Sequence, residues 1–243
     1  MSSPRDSIYA TPQGEVADFA FDDRVAEVFP DMISRSVPGY ATIVQTMGML
    51  AGQYAQENSK VYDLGCSLGA TSIAMKQHIK QAGVEIIGVD NSEAMVQRCQ
   101  AHVNAWRGEV PVHIECADIL DVSLEPCSVV AMNFTMQFID PDQREALVQK
   151  IYDALLPGGM LLLSEKVRHL DETAENILVD LHHEFKRQNG YSELEISQKR
   201  AAIENVMRID TPGQHLARLG AAGFSTVQNW YRCFNFMSWF AIK

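Results

Sequence analysis

The sequence contains no C-x-x-C pair, no apolar run of membrane-spanning length and no basic stripe. Each absence excludes something. The five cysteines, Cys66, Cys99, Cys116, Cys127 and Cys233, are odd in number and scattered. That argues against a zinc site or a disulfide framework and for a reducing compartment. A membrane-spanning helix needs about 20 consecutive apolar residues, and none occur. The start, Met1-Ser-Ser-Pro-Arg-Asp6, lacks the apolar core of a secretory signal. The expectation is a soluble, cytoplasmic protein with no membrane partner. Cations are outnumbered, with 20 Lys+Arg against 31 Asp+Glu and a formal net charge of −11. Basic clusters run no longer than pairs such as Lys186-Arg187. Nucleic-acid binders neutralise phosphates with a basic face. Direct nucleic-acid binding is therefore disfavoured, and a small-molecule substrate fits better.

What is present is ordinary for a globular chain, 243 residues of which 47% are apolar. Such a length buries roughly 70–75% of the unfolded surface and needs no covalent staples. It reads as one domain spanning 1–243.

Residues 1–58 read as an amino-terminal helical cap. Phe21, Val25, Val28 and Phe29 recur at helical spacing, and Ser36 with Pro38 opens a second helix through about Tyr54. Strands and helices then alternate. Strands are expected over Lys60–Leu64, Val84–Val89, Val112–Cys116, Ser128–Phe134 and Met160–Ser164. Helices are expected over Thr71–Gln81, Ser92–Trp106 and Asp142–Leu156. This order implies an α/β fold on a parallel sheet with right-handed crossovers. Residues 166–210, charged and helical in period through Ile177, Leu181 and Phe185, read as an insertion after the fifth strand. A helix over Thr211–Leu219, ending at Gly220, and an antiparallel pair of strands, Ser225–Cys233 and Phe234–Lys243, complete the chain.

The most informative run is Val61-Tyr-Asp-Leu-Gly-Cys-Ser-Leu-Gly-Ala-Thr-Ser72. A glycine-rich turn between strand and helix lets a ligand approach bare backbone. Alone it is a weak signal, the more so with Ser67 where a dinucleotide turn has glycine. Three features sharpen it. Asp63 places a carboxylate by the turn. Asp90 ends the second strand, where an acid can accept from two ribose hydroxyls. Asp118 follows the third strand, where an acid can meet an exocyclic adenine amine. Asp90 could instead cap the helix starting near Ser92, and Asp118 could be a turn residue. With Leu155-Leu-Pro-Gly-Gly159 before strand five, the set resembles the class I S-adenosylmethionine-dependent methyltransferase fold. That resemblance implies a Rossmann-like, seven-stranded, mostly parallel sheet with an antiparallel terminal strand.

Other chemistries lack their motifs. After strand four stands Asn133-Phe-Thr-Met-Gln-Phe138, not the Asn/Asp-Pro-Pro-Tyr of amino-group methyltransferases. Pro126-Cys127 precedes that strand, so Cys127 reads as structural and not as a cytosine-C5 nucleophile. His182-His183 point about 100° apart on a helix and cannot easily share one ion. They read as a solvated helix face, and no metal is expected.

Longer runs carry a closer resemblance. These are Phe21-Asp-Asp-Arg-Val-Ala-Glu-Val-Phe-Pro-Asp31, Arg35-Ser-Val-Pro-Gly-Tyr40, Tyr62-Asp-Leu-Gly-Cys-Ser-Leu-Gly69, Met132-Asn-Phe-Thr-Met-Gln-Phe-Ile139, Ser192-Glu-Leu-Glu-Ile-Ser-Gln-Lys-Arg200 and Cys233-Phe-Asn-Phe236. Over nearly its whole length the chain resembles the bacterial carboxy-S-adenosyl-L-methionine synthase family. The resemblance implies a transferase that carboxylates the S-adenosyl-L-methionine methyl group with prephenate, releasing phenylpyruvate. The product, carboxy-S-adenosyl-L-methionine, would serve a separate tRNA carboxymethyltransferase that makes 5-carboxymethoxyuridine at the wobble position. Ligand contacts are then expected at Tyr40, Gly65, Cys66, Ser67, Asp90, Asn91, Asp118, Ile119, Asn133 and Arg200. The resemblance also implies a homodimer in which Arg200 reaches the neighbouring subunit's site and clamps the new carboxylate. Without it, Arg200 is one more arginine on a polar helix. An ordinary small-molecule methyltransferase or a non-catalytic nucleoside-binding protein would share every nucleoside motif.

Overall fold

Val61, Val129, Ala131 and Leu162 point to one face of the central strands, while Tyr62, Val130, Met132, Leu161 and Leu163 point to the other. Strands apolar on both faces need a layer of helices on each side, which is the doubly wound solution. The computed structural model describes residues 4–243 and has that architecture. Of the polar start, Met1 to Ser3 lie outside the described residues.

The sheet comprises β1 (Lys60–Leu64), β2 (Glu85–Asp90), β3 (Val112–Cys116), β4 (Cys127–Asn133), β5 (Leu155–Lys166), β6 (Thr226–Cys233) and β7 (Phe236–Ile242). Their spatial order is β3-β2-β1-β4-β5-β7-β6, and β7 alone runs antiparallel to both its neighbours. The seven-stranded, mostly parallel sheet with an antiparallel terminal strand is therefore observed. Strand order reverses direction between β1 and β4, so the carboxyl ends of these two strands flank the switch point where ligands bind in such sheets.

Helices α1 (Asp23–Ser36) and α2 (Tyr40–Tyr54) precede the sheet. Asp22 caps α1 by accepting from Val25 N at 2.9 Å. Ser36 ends this helix and does not open the next. The break comes at Gly39, whose φ of +71° is open to glycine, and where a Cβ would lie 2.0 Å from the Tyr231 hydroxyl oxygen. Helix α2 does not cap the core either. Its Ile43, Met47 and Ala51 pack on one face of the sheet beside Met75 of α3 (Ala70–His78). The opposite face carries Leu147, Val148 and Ile151 of α5 (Arg144–Ala154) and Leu219 of α8 (Pro212–Ala222). Helix α4 (Glu93–Ala105) lies against β3. Helices α6 (Glu172–Gln188) and α7 (Glu193–Glu204) fill the interval between β5 and α8.

Three helices differ from expectation at their ends. Helix α3 stops at His78, because Ile79 turns extended and buries itself in the core. A 3-10 turn over Pro141–Gln143 takes the place of the first turn of α5, and Leu155 already belongs to β5. Helix α8 runs past Gly220 and closes at Gly223, whose φ of +106° is the usual left-handed stop.

One buried ion cluster ties α5 to α8. Arg144, 1% exposed, pairs with Asp210 at 2.8 Å, and Arg218 pairs with the same carboxylate at 2.9 Å. Arg144 also donates to the carbonyls of Ile139 and Arg208 at 2.8 and 2.7 Å. Removing one partner of a buried network strands the others. Arg144→Met should therefore lower unfolding free energy by about 3 kcal/mol in chemical denaturation.

Candidate active site

The first turn after β1 is shaped by three residues with positive φ, Gly65 at +80°, Ser67 at +49° and Gly69 at +83°. A Cβ on Gly65 would stand 2.3 Å from Thr135 Oγ1, so the loop after β4 packs against bare backbone. A serine at positive φ costs about 1–2 kcal/mol. Here the conformation is held by Asp90, whose Oδ2 accepts from Ser67 N at 2.9 Å while its Oδ1 accepts from Ser92 N at 2.9 Å. Burial raises the Asp90 pKa, against the pull of these two backbone bonds. Ser92 is itself the cap of α4, accepting from Met95 N at 3.2 Å. Each Asp90 oxygen retains a second lone pair for a ligand.

Asp63 lies beneath this turn, 1% exposed. Its Oδ2 accepts from Ser72 Oγ at 2.6 Å, while Oδ1 is buried with no partner among the described residues. Burial raises its pKa to about 6, opposed by the Ser72 bonds. Asn133, at the end of β4, donates to Thr71 Oγ1 at 3.2 Å, and its own Oδ1 is likewise buried and unpaired. Of these two unmatched acceptors, Asn133 Oδ1 belongs to a cavity-lining residue, where a donor such as an ammonium group would suit it. Asp118 Oδ1 accepts from Leu120 N at 2.9 Å, so Asp118 does shape its turn, as one reading of the sequence allowed. Lys150 pins the same turn through the carbonyls of Ile119 and Leu120 at 3.1 and 2.9 Å.

Asp90, Asp118 and Asn133 line one cavity of about 250 Å³; Asp63 is not among its lining residues. Tyr40, Gly65, Cys66, Ser67, Asp90, Asn91, Asp118, Ile119, Asn133 and Arg200 all line it. Arg200 stands on the rim of the chain's own cavity, with 56% of its side chain exposed and Nε bonded to Glu204. Phe19, Phe21 and Phe29 cover the cavity from the amino-terminal segment, and the Phe21 ring meets Phe138 edge-on at 5.3 Å. Ser92 Oγ holds this cover by donating to the Phe21 carbonyl at 2.5 Å.

Some residues of the wall and of its support were not anticipated. His182 is not on a solvated face. It is 5% exposed, its Nε2 lies 2.8 Å from the Ser36 carbonyl, and its ring packs edge-on to Phe236 at 4.9 Å. Burial holds its pKa well below the usual histidine value, so it is neutral there. Glu165 is fully buried and accepts from Met136 N and Gln137 N at 2.8 and 3.0 Å, fixing the loop after β4. Burial lifts its pKa to about 8. An acid directly after the apolar stretch Met160–Ser164 was the available signal. Lys166, Lys186 and Lys199 line the cavity as well. Among the described residues no cluster of three or more His, Cys, Asp or Glu is placed to hold a metal, and no helix is long and apolar enough to cross a membrane.

Residues 61–159 match a family model described as "Methyltransferase domain". A carboxy-S-adenosyl-L-methionine synthase of Vibrio cholerae is 57% identical over 241 residues, covering 99% of this chain and 98% of the relative. One of Pseudoalteromonas translucida is 60% identical over 239 residues, covering 98% and 99%. The chain belongs to the carboxy-S-adenosyl-L-methionine synthase family. Human N-acetylserotonin methyltransferase, solved in complex with SAM, superposes with a TM-score of 0.59 at 17% identity, over 91% of this chain and 55% of that one. That likeness concerns the fold, which is the Rossmann-like class I methyltransferase fold.

The Asp63 shift has a stability consequence. A carboxyl whose folded pKa is raised binds its proton more tightly when folded, so its contribution is present below the unfolded pKa and is lost as pH rises through the folded one. For Asp63 that window runs from about 4 to about 6. The stability of Asp63→Asn relative to wild type, from denaturation at each pH, should rise by on the order of 2–3 kcal/mol between pH 4 and 7.

Proposed function

We propose that the protein converts S-adenosyl-L-methionine and prephenate to carboxy-S-adenosyl-L-methionine, phenylpyruvate and water. The reading is carried by full-length similarity to relatives named for that product, 57–60% identical. It is supported by a single cavity that gathers every expected nucleoside contact together with Arg200.

Asp90 would hold the ribose hydroxyls, Asp118 the adenine edge, and the free Oδ1 of Asn133 the methionyl ammonium. The methyl group on a sulfonium is acidified by the adjacent positive charge and can lose a proton to give an ylide. Prephenate loses its ring carboxylate as carbon dioxide and its ring hydroxyl as the ring becomes aromatic. The ylide carbon attacks carbon dioxide, and the methyl proton leaves with the hydroxyl as water. The protein's part is to align the partners and exclude bulk water. Phe19, Phe21 and Phe29 supply the apolar cover for this.

The new carboxylate calls for a cation. Glu204 takes the Nε of Arg200, and among the described residues both Nη atoms are unpaired, so that edge can bind a carboxylate through two parallel bonds. A homodimer belongs to the proposal. Ile177 and Leu181, 55% and 44% exposed and one turn apart on α6, present an apolar face that a second copy would cover. The product would pass to a separate tRNA carboxymethyltransferase. With a net charge of −11, this chain is not itself proposed to hold the tRNA.

Mass spectrometry of a reaction containing the purified protein, S-adenosyl-L-methionine and prephenate tests the reading. Carboxy-S-adenosyl-L-methionine and phenylpyruvate should appear together, and only with prephenate. Formation of S-adenosylhomocysteine alone, with an added acceptor, would instead point to an ordinary methyltransferase. Arg200→Ala should weaken the carboxylated product by about 1.5–3 kcal/mol in calorimetry and leave S-adenosyl-L-methionine nearly unaffected. Arg200→Lys should recover part of the loss, and equal weakening of both ligands would make Arg200 structural.

A further inference from the structure

The cavity wall is polarised in charge. It carries two acids, Asp90 and Asp118, both among the nucleoside contacts, and four cations, Lys166, Lys186, Lys199 and Arg200. The cations come from three elements: Lys166 ends β5, Lys186 lies on α6, and Lys199 and Arg200 lie on α7. In a chain with 11 more acids than bases, four cations in one cavity are not an average of the surface.

The lysines differ in how their charges are matched. Lys199 Nζ is 3.2 Å from Ser36 Oγ and 3.8 Å from the Asp6 carboxylate, and Arg35 and Asp31 also face it. Lys166 is faced by Glu175 and Glu204 as well as by Arg200. Lys186 feels the charges of Lys199, Lys166 and Arg200, and among the described residues it makes no ion pair with a carboxylate. Burial and these cations push Lys186 down to about 7, and burial pushes Lys199 down to about 8. His182, which also lines the cavity, is neutral and offsets none of this charge. A cation withdrawn from water with no counter-charge is costly, and an incoming anion relieves the cost.

Resting on the function proposed above, we infer that Lys186, with Lys166 and Lys199, is the specificity site for the carboxyl donor and holds the carboxylate that the donor keeps. The assignment between the donor's two carboxylates follows from chemistry. A carboxylate clamped by cations is stabilised as the anion and resists loss of carbon dioxide. The one that departs needs an apolar place near the sulfonium. Lysine-bound anchoring therefore belongs to the side-chain carboxylate, which phenylpyruvate retains. The ring carboxylate lies free against the apolar wall of Phe21, Phe29, Ile33, Val37 and Phe236. Arg200 is then left for the carboxylate of the new product.

The test is calorimetric binding of prephenate and of phenylpyruvate to protein loaded with S-adenosylhomocysteine. Wild type, Lys186→Gln and Lys166→Gln would be compared, with S-adenosylhomocysteine affinity as the check on folding. Both variants should bind prephenate and phenylpyruvate roughly 10- to 100-fold more weakly, and S-adenosylhomocysteine as wild type does. At about pH 7.5, prephenate binding to wild type should take up protons, because the bound anion raises the lysine pKa. Lys186→Gln should take up fewer. Unchanged prephenate affinity in both variants would overturn the inference. So would weakened prephenate binding with phenylpyruvate unaffected, since the lysines would then hold the departing carboxylate. Product formation by wild type, measured in parallel, separates the two claims. Lysine-dependent prephenate binding without carboxy-S-adenosyl-L-methionine would sink the reaction and keep the binding site. Product formation with lysine-independent binding would do the reverse.

Discussion

The site depends on the bidentate hold of the Asp90 carboxylate on two backbone N–H groups. Through Ser67 N it stabilises a left-handed serine in the first turn, and through Ser92 N it sets the start of α4. Ser92 then fastens the amino-terminal segment by donating to the Phe21 carbonyl. One carboxylate thus positions the phosphate-free analogue of a nucleotide turn, the helix behind it and the aromatic cover above it. Charged hydrogen bonds of this kind are worth more than neutral ones, which is how a serine persists at the strained position 67 of the turn.

Around that anchor the cavity separates two electrostatic regions. The unpaired Oδ1 of Asn133, with the acids Asp90 and Asp118, suits a cationic nucleoside. Lys166, Lys186, Lys199 and Arg200 suit an anionic partner. The proposed reaction between a sulfonium and a dicarboxylate calls for such a pair of environments within one cavity. Low local dielectric strengthens both sets of contacts.

Much of this is legible in the chain. The strands Lys60–Leu64 and Val112–Cys116 occur where periodicity puts them, and the other expected strands overlap those observed. The expected ligand contacts line a single cavity, because glycine turns, strand-end acids and the Asn133 run are local signals at fixed distances from strands. His182 and the lysines were not legible as site residues, nor was Glu165 legible as the anchor of the loop that carries Gln137. Their significance lies in partners far along the chain: His182 meets Ser36, and Lys199 meets Asp6 and Ser36. A helical pattern states that a residue is polar, not whether its polar face looks to water or into a cleft.

By itself, then, the sequence determined the alternating α/β order, the nucleoside turn and the family. Each is encoded in short-range pattern, where backbone preference and hydrophobic period act over a few residues. Tertiary structure decided that α2 joins the sheet layer, that α6 and α7 face the cavity, and that cations scattered over residues 166–200 converge there. The reason is physical. Convergence of charge costs free energy that no local preference records, and it is set by which faces the packed core leaves at the switch point.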